Sequence, residues 1–275
     1  LDVGEQGRMW WTGWSAFGYL VEQKKNKKDQ VFAKTSANVQ LFPFLSYRAS
    51  YAYDYISDFN HWYRSPERGT NLKPGDGLVT RDGRRYVAHT FNNFLTFDKK
   101  FGMHSVNALI GSEIYMWDSS NWSSERRNLV MVGMNEQSSA SGAAAAYSYS
   151  DEYRLASFLS RVEYDYNDKY YITASYRKDG SSRFHKDGRW GDFYSAGASW
   201  RISEEEFMKP TASWLSNLKL RVSYGAVGND NIGILYAYQS LYEPSNYFGQ
   251  SGVVLNKFAT QALKWEKNIN YRIEL

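Results

Sequence analysis

The feature that most constrains this chain is a period-two alternation of apolar and polar residues. Tyr47, Ala49, Tyr51, Tyr53 and Tyr55 share one parity, and Arg48, Ser50 and Asp54 take the other. Leu218, Leu220, Val222, Tyr224 and Ala226 repeat the pattern against Lys219, Arg221 and Ser223. Tyr194, Ala196, Ala198, Trp200 and Ile202 repeat it again against Ser195, Gly197, Ser199 and Arg201. A helix would place such residues on all sides, whereas a strand separates them onto two faces that meet two different media.

Reading this pattern along the chain predicts strands over Trp10–Glu22, Val31–Leu41, Leu45–Ile56, Tyr86–Phe97, Met103–Trp117, Tyr153–Asp165, Tyr170–Lys178, Asp192–Ile202, Leu218–Ala226 and Lys267–Leu275. Many reach the 9 to 11 or so residues that a tilted strand needs to cross a bilayer, well above the usual soluble length of about 5 or 6. Connections alternate short and long: tight at Phe42–Phe44, Asp98–Gly102 and Tyr166–Lys169, long over Ser57–Arg85, Asp118–Ser150 and Gly228–Lys264. The fold class this implies is all-β: an antiparallel transmembrane β-barrel segment of about ten strands with short periplasmic turns and long extracellular loops. On Tyr86–Phe97 the outward side is ambiguous, because Asn92 and Asn93 fall on opposite faces.

Composition fits that class. Aromatic residues make up 17% of the chain, with 23 Tyr and 10 Trp, types favoured where one end of a ring is apolar and the other wet. The mean hydropathy of -0.61 suits a barrel, in which half of every strand faces water. No apolar run of about 18 residues exists to form a membrane-spanning helix. The chain opens on Leu1 and Asp2 without a signal peptide, and it closes on a strand without a turn. It therefore reads as a segment cut from a longer protein, and alone it is expected to aggregate or require detergent. The absence of cysteine removes thiolate metal sites, disulfides and cysteine nucleophiles. The net charge of +4 is mild, and Lys24, Lys25, Lys27 and Lys28 read as a solvated loop rather than an anion site.

No catalytic constellation emerges. His61, His89, His104 and His185 lie in separate elements without metal-ligand spacing. Gly225-Ala226-Val227-Gly228 ends a strand and leads into Asn229, Asp230 and Asn231 rather than a helix, so it reads as a loop entry. The oxygen-rich stretches Asp76–Asp82 and Asn229–Asn231 lack the twelve-residue calcium pattern and read as polar turns. Asn121-Trp122-Ser123 matches a glycosylation sequon by chance. The expectation is a non-enzyme without metal, cofactor or nucleic-acid partner. Ser138–Ser150 reads as a low-complexity loop tip, and Ser203 with Glu206 as a capping box for one helical turn stopped by Pro210. The long connections carry Trp62, Tyr63, Trp117, Trp122, Trp190, Tyr242 and Tyr247 near Arg64, Glu67, Arg68, Asp118, Glu243 and Asn246. Of these, Trp62, Tyr63, Trp122, Trp190, Tyr242 and Tyr247 are the candidate substrate contacts, because flat rings edged by hydrogen-bonding groups suit sugars and peptides. The alternative is that the rings pack loops or anchor a membrane interface.

From Tyr164 onward the chain resembles the SusC/RagA family of TonB-dependent outer-membrane transporters. Four ordered blocks carry the resemblance: Tyr170–Phe184, Arg189–Glu205, Leu218–Asn229 and Leu263–Glu266. Tyr194 stands where the family usually has proline. The family-motif positions are Arg177, Asp179, Gly180, Arg183, Phe184, Trp190, Gly191, Trp200, Gly225, Gly228, Asn229, Trp265 and Glu266, all with expected structural roles in the wall. Asp179-Gly180 should end a strand in a turn, Arg177 and Arg183 should brace loop carboxylates, and Gly225 and Gly228 should let a strand bend. The resemblance implies that residues 1–275 are a partial TonB-dependent receptor barrel, without plug domain, from a plugged barrel of about 22 strands. It further implies outer-membrane lipid around the wall, a SusD-like surface lipoprotein, the TonB complex acting through a missing N-terminal part, and a glycan or peptide substrate. The rival from another class is a soluble or surface β-sandwich that binds carbohydrate; a barrel enzyme would need a nucleophile, base or metal set that the sequence does not present.

Overall fold

The computed structural model describes residues 22–66, 77–211 and 213–275. Among the described residues eleven strands follow one another: β1 Gln23–Phe42, β2 Leu45–Arg64, β3 Leu78–Phe101, β4 His104–Arg127, β5 Ala144–Tyr166, β6 Tyr170–Ser181, β7 Trp190–Arg201, β8 Lys219–Asn229, β9 Leu241–Tyr247, β10 Gln250–Lys257 and β11 Glu266–Glu274. Nine form one sheet in the order β1-β2-β3-β4-β5-β6-β7-β8-β11, and β9 and β10 form a separate hairpin. The expected all-β, antiparallel architecture is present. Among the described residues the sheet does not close, and β1 and β11 are its edges.

Every strand expected from β1 to β8 and at β11 exists, but β1 to β5 are longer than the alternation indicated. Lys24, Lys25, Lys27 and Lys28 are strand residues of β1 rather than a loop, and Lys27 pairs with Asp29 at 3.3 Å. The expected loop tip Ser138–Ser150 instead holds a 3₁₀ turn over Gln137–Ser139, and β5 then begins at Ala144. The hairpin β9–β10 lies inside the connection read as loop. The strand expected over Trp10–Glu22, up to Val21, lies outside the described residues, as do Glu67, Arg68 and Asp76.

Turn chemistry explains the short connections. Between β5 and β6, Asn167 and Asp168 both adopt positive φ, 54° and 55°, and the Lys169 amide donates to the Tyr166 carbonyl at 3.0 Å. Two left-handed central residues are what a tight type I′ hairpin requires, and Asn and Asp tolerate that conformation. The connection from β7 to β8 contains two 3₁₀ segments, Ile202–Glu204 and Glu206–Thr211, rather than one capped helical turn. The expected capping box does not form. The Ser203 hydroxyl oxygen is buried without a hydrogen-bond partner, and Pro210 sits inside the second segment.

Two compact units make up the described chain. The first comprises residues 22–32, 54–66, 77–88 and 118–151. Its core is a cluster of Tyr63, Val79, Leu129 and Ala140, onto which the β4–β5 connection is folded. The Tyr63 hydroxyl accepts from the Gly133 amide at 2.8 Å, Arg81 holds both carboxylate oxygens of Glu136 at 2.8 Å, and the Gln137 amide donates to Ser124 at 2.9 Å. The second unit comprises residues 33–53, 89–117 and 152–275. There Asn93 receives the Tyr47 hydroxyl at 2.8 Å while Asn92 reaches Ser50 at 3.3 Å. The asparagine ambiguity is thus resolved: Asn93 shares the tyrosine face and Asn92 the polar one.

A two-faced wall as the candidate functional site

Registry in the second unit turns the alternation of single strands into two continuous faces. One row runs Tyr164, Ile172, Ala198, Val222 and Ile273 across β5, β6, β7, β8 and β11, and the next runs Val162, Ala174, Ala196, Tyr224 and Tyr271. The intervening rows are Glu163, Thr173, Gly197, Ser223 and Arg272, then Asp165, Tyr171, Ser199, Arg221 and Glu274. A one-residue slip on any strand would mix the faces, so burial of one face against an apolar medium fixes the register. The apolar face is uncovered: Ile172 is 55% exposed, Val222 46% and Ile273 76%. A soluble sandwich would bury this face under a second sheet, and among the described residues none lies on it.

Aromatic residues edge this apolar face at two levels. At one level Tyr166, Tyr170 and Trp200 are paired across β5, β6 and β7, with ring centroids 6.3 Å apart in both steps. Beside them Glu205 accepts from the Tyr170 hydroxyl at 2.5 Å, the Trp200 indole at 3.0 Å and the Lys169 ammonium at 3.3 Å. These donors, Tyr170 first, hold the Glu205 carboxyl below its ordinary pKa. At the other level Trp190 packs on Phe158 at 6.2 Å and under the Lys178 ammonium at 5.9 Å.

The polar face carries a brace. Arg177 directs Nε at both oxygens of Asp179, at 2.7 and 2.9 Å, and its Nη2 at Ser157, 3.0 Å away, and at Glu113, 3.5 Å away. This ties β4, β5 and β6 together. Asp179 and Gly180 are therefore paired strand residues, opposite Gly191 and Trp190, and not the expected turn. Further along, Asp230 accepts from Tyr153 at 2.7 Å and Ser181 at 2.6 Å, with Arg183 Nε at 3.8 Å, while Arg183 also donates to Asn231 at 2.7 Å. Phe184, Phe193 and Trp265 form an aromatic cluster with centroids 5.7 and 5.3 Å from the Trp265 ring, whose indole donates to the Arg189 carbonyl. Gly191 and Gly228 leave room for it, since a Cβ on Gly228 would lie 2.0 Å from the Phe193 ring. Close packing, rather than the expected bend, explains that glycine; Gly225 meets only an ordinary contact with Ser195. Asn229 donates to Glu266 at 3.0 Å across the β8–β11 pair.

The expected loop aromatics occupy strands. In the first unit Tyr63 is fully buried in the core cluster. Trp122 lies against Gly83 of β3, where a Cβ would meet the indole at 2.0 Å; its parity is opposite to that of Asn121 and Ser123. Trp62 is a partly exposed residue of β2. In the second unit Trp190 belongs to the apolar face, and Tyr242 and Tyr247 are exposed on the β9 hairpin. Sequence reading missed Asp230, Tyr153, Ser181, Phe193 and Glu205 as network centres. The parity shared by Ser181, Asp179 and Arg177 was the available signal for Ser181.

Comparison with known proteins agrees with this geometry. The family described as TonB dependent receptor-like, beta-barrel matches residues 5–274. The TonB-dependent receptor SusC of Bacteroides thetaiotaomicron is 30% identical over 93% of the chain and 26% of its own length. The TonB-dependent receptor P39 of Formosa agariphila is 31% identical over 86% of the chain and 23% of its own length. The RagAB peptide transporter structure superposes with a TM-score of 0.86 at 24% identity, over 92% of this chain and 28% of that one. The chain thus spans about a quarter of the length of these relatives. Two-faced strands, aromatic edges and co-linear matching together place it: the chain belongs to the TonB dependent receptor-like β-barrel family.

Proposed function

We propose that this chain forms part of the wall of an outer-membrane transporter that imports large nutrients, glycans or oligopeptides. Energy is delivered through TonB, and a SusD-like lipoprotein closes over the outer mouth. The observation that carries the reading is the spacing of the two aromatic levels that edge the apolar face. Trp200 stands ten positions along β7 from Trp190, and the Lys178–Asp192 ion pair lies on the same face one step inside Trp190, at the level of the interface. At about 3.4 Å per residue and a tilt of about 40° those ten positions rise roughly 26 Å, close to the ~25 Å apolar belt of outer-membrane barrels. The two aromatic levels then sit at the two lipid–water interfaces. The chain acts by shape and binding and not as an enzyme; the plug that gates passage and the remaining strands belong to other parts of the full-length protein.

The test is uptake of labelled oligosaccharide and peptide pools by cells carrying the full-length receptor, with and without TonB. Uptake that disappears without TonB supports the proposal. Uptake that is indifferent to TonB, or no energised uptake of either pool, overturns it.

A further inference from the structure

The first unit contains a cavity of about 510 Å³ lined from β1 to β5. Its side chains share one face. Gln30 reaches Asp54 across β1 and β2, Arg84 pairs with Asp58 across β2 and β3, and Ser123 donates to Asp82 across β3 and β4. Asn26, Asn60, Asn121, Tyr147 and Tyr149 have the matching parities. Lys28 also has the matching parity and adds a cation to the lining, whereas Lys27, Gly83 and Trp122 have the opposite one: Lys27 pairs with Asp29, and the Trp122 indole lies over Gly83 on the other face.

We infer that this cavity is an oligosaccharide subsite, resting on the transporter reading above. Tyr147 and Tyr149 stand two residues apart on β5, 66% and 54% exposed, and offer two ring faces roughly 7 Å apart along the strand. Their hydroxyls, and the side-chain amides of Asn26 and Asn60, make no hydrogen bond among the described residues. The two lining carboxylates are half occupied: Arg84 meets only Oδ2 of Asp58, at 2.9 and 3.1 Å, and Ser123 only Oδ1 of Asp82. Each carboxylate keeps one oxygen for a hydroxyl pair. A sugar presents hydroxyls at its edge and C–H groups on its face, which answers open amides and carboxylates beside exposed rings. The lining contains no aliphatic residue, and the exposed apolar surface it does offer is aromatic, which suits the C–H face of a sugar ring.

The experiment immobilises the full-length receptor in detergent. It is exposed to short oligosaccharides from partly hydrolysed plant, algal and microbial polysaccharides, and separately to a tryptic peptide digest. Retained material is identified by mass spectrometry and normalised to the folded receptor, read as heat-modifiable gel mobility. Retention of oligosaccharides is expected, reduced about tenfold or more in Y147A/Y149A and unchanged in Y271A, which lies on the apolar face of the other unit. Asn60→Leu, which replaces an open amide by an apolar group, gives a second variant should the tyrosine pair fail to fold. Retention of peptides alone, of neither pool, or of oligosaccharides equally by the cavity variants overturns the assignment. Because retention needs no TonB, these results are separable from failure of energised uptake.

Discussion

The indole of Trp190 lies across Gly180 of the neighbouring strand, so closely that a Cβ on Gly180 would stand 2.8 Å from two of its ring carbons and 2.9 Å from a third. The pair is in register on β6 and β7. A branched side chain there has to lift the indole off the sheet and away from Phe158 and Lys178. Gly180→Val is therefore expected to destabilise the full-length barrel by about 1–3 kcal/mol, read as a lower midpoint for loss of heat-modifiable mobility. An unchanged midpoint would show that the ring position is incidental.

Arg177 holds an almost buried carboxylate, Asp179, while its own side chain is 42% exposed. Solvent weakens the attraction, but the hydrogen bonds to Asp179 and Ser157 remain to be replaced. Arg177→Met should cost roughly 2 kcal/mol. Combined with Asp179→Asn in a double-mutant cycle, a coupling of about 1–2 kcal/mol is expected. Additive losses would falsify the brace.

Asp230 collects the hydroxyls of Tyr153 and Ser181 on one oxygen. Asp230→Ala leaves both donors without that acceptor, at a cost of about 1–3 kcal/mol. Hydrogen exchange should accelerate over residues 229–240 and leave the β5–β6 ladder from Val162 to Tyr166 protected. Uniform acceleration across the sheet would assign Asp230 a global rather than a local role.

The Glu205 carboxyl has a lowered pKa through Tyr170, Trp200 and Lys169. A carboxylate whose folded pKa lies below its unfolded value of about 4.3 contributes its full stabilisation above that value and loses it as pH falls through the folded one. Exchange protection of residues 203–211 is therefore expected to hold at neutral pH and to fall below about pH 4. Glu205→Gln should lower it at neutral pH and flatten the pH dependence. A variant that keeps the wild-type acid profile would point to another group.

Legibility in the sequence followed the contrast between the two media. Leu218–Ala226 announced β8 because each apolar residue faces one medium and each polar residue the other. The extension of β2 beyond Ile56 carries Asp58, Asn60 and Trp62 on one side and Phe59, His61 and Tyr63 on the other. That stretch departs from the alternation by placing an aromatic among the polar residues and a histidine among the rings, and Asp and Asn are poor strand formers. The β9–β10 hairpin turns at Phe248 and Gly249, both with positive φ, and Phe is not a residue that advertises such a turn. Trp122 differs in parity from Asn121 and Ser123, and that alone separates its ring from the cavity.

The 24 residues of β3 and of β4 extend about 80 Å at ~3.4 Å each, against the ten or so that an apolar belt occupies. In an outer-membrane wall, more than half of each such strand never meets lipid. In such a wall, substitutions beyond the belt would answer to ladder hydrogen bonds and neighbouring side chains rather than to bilayer thickness, and those side chains could change without touching the band that meets lipid.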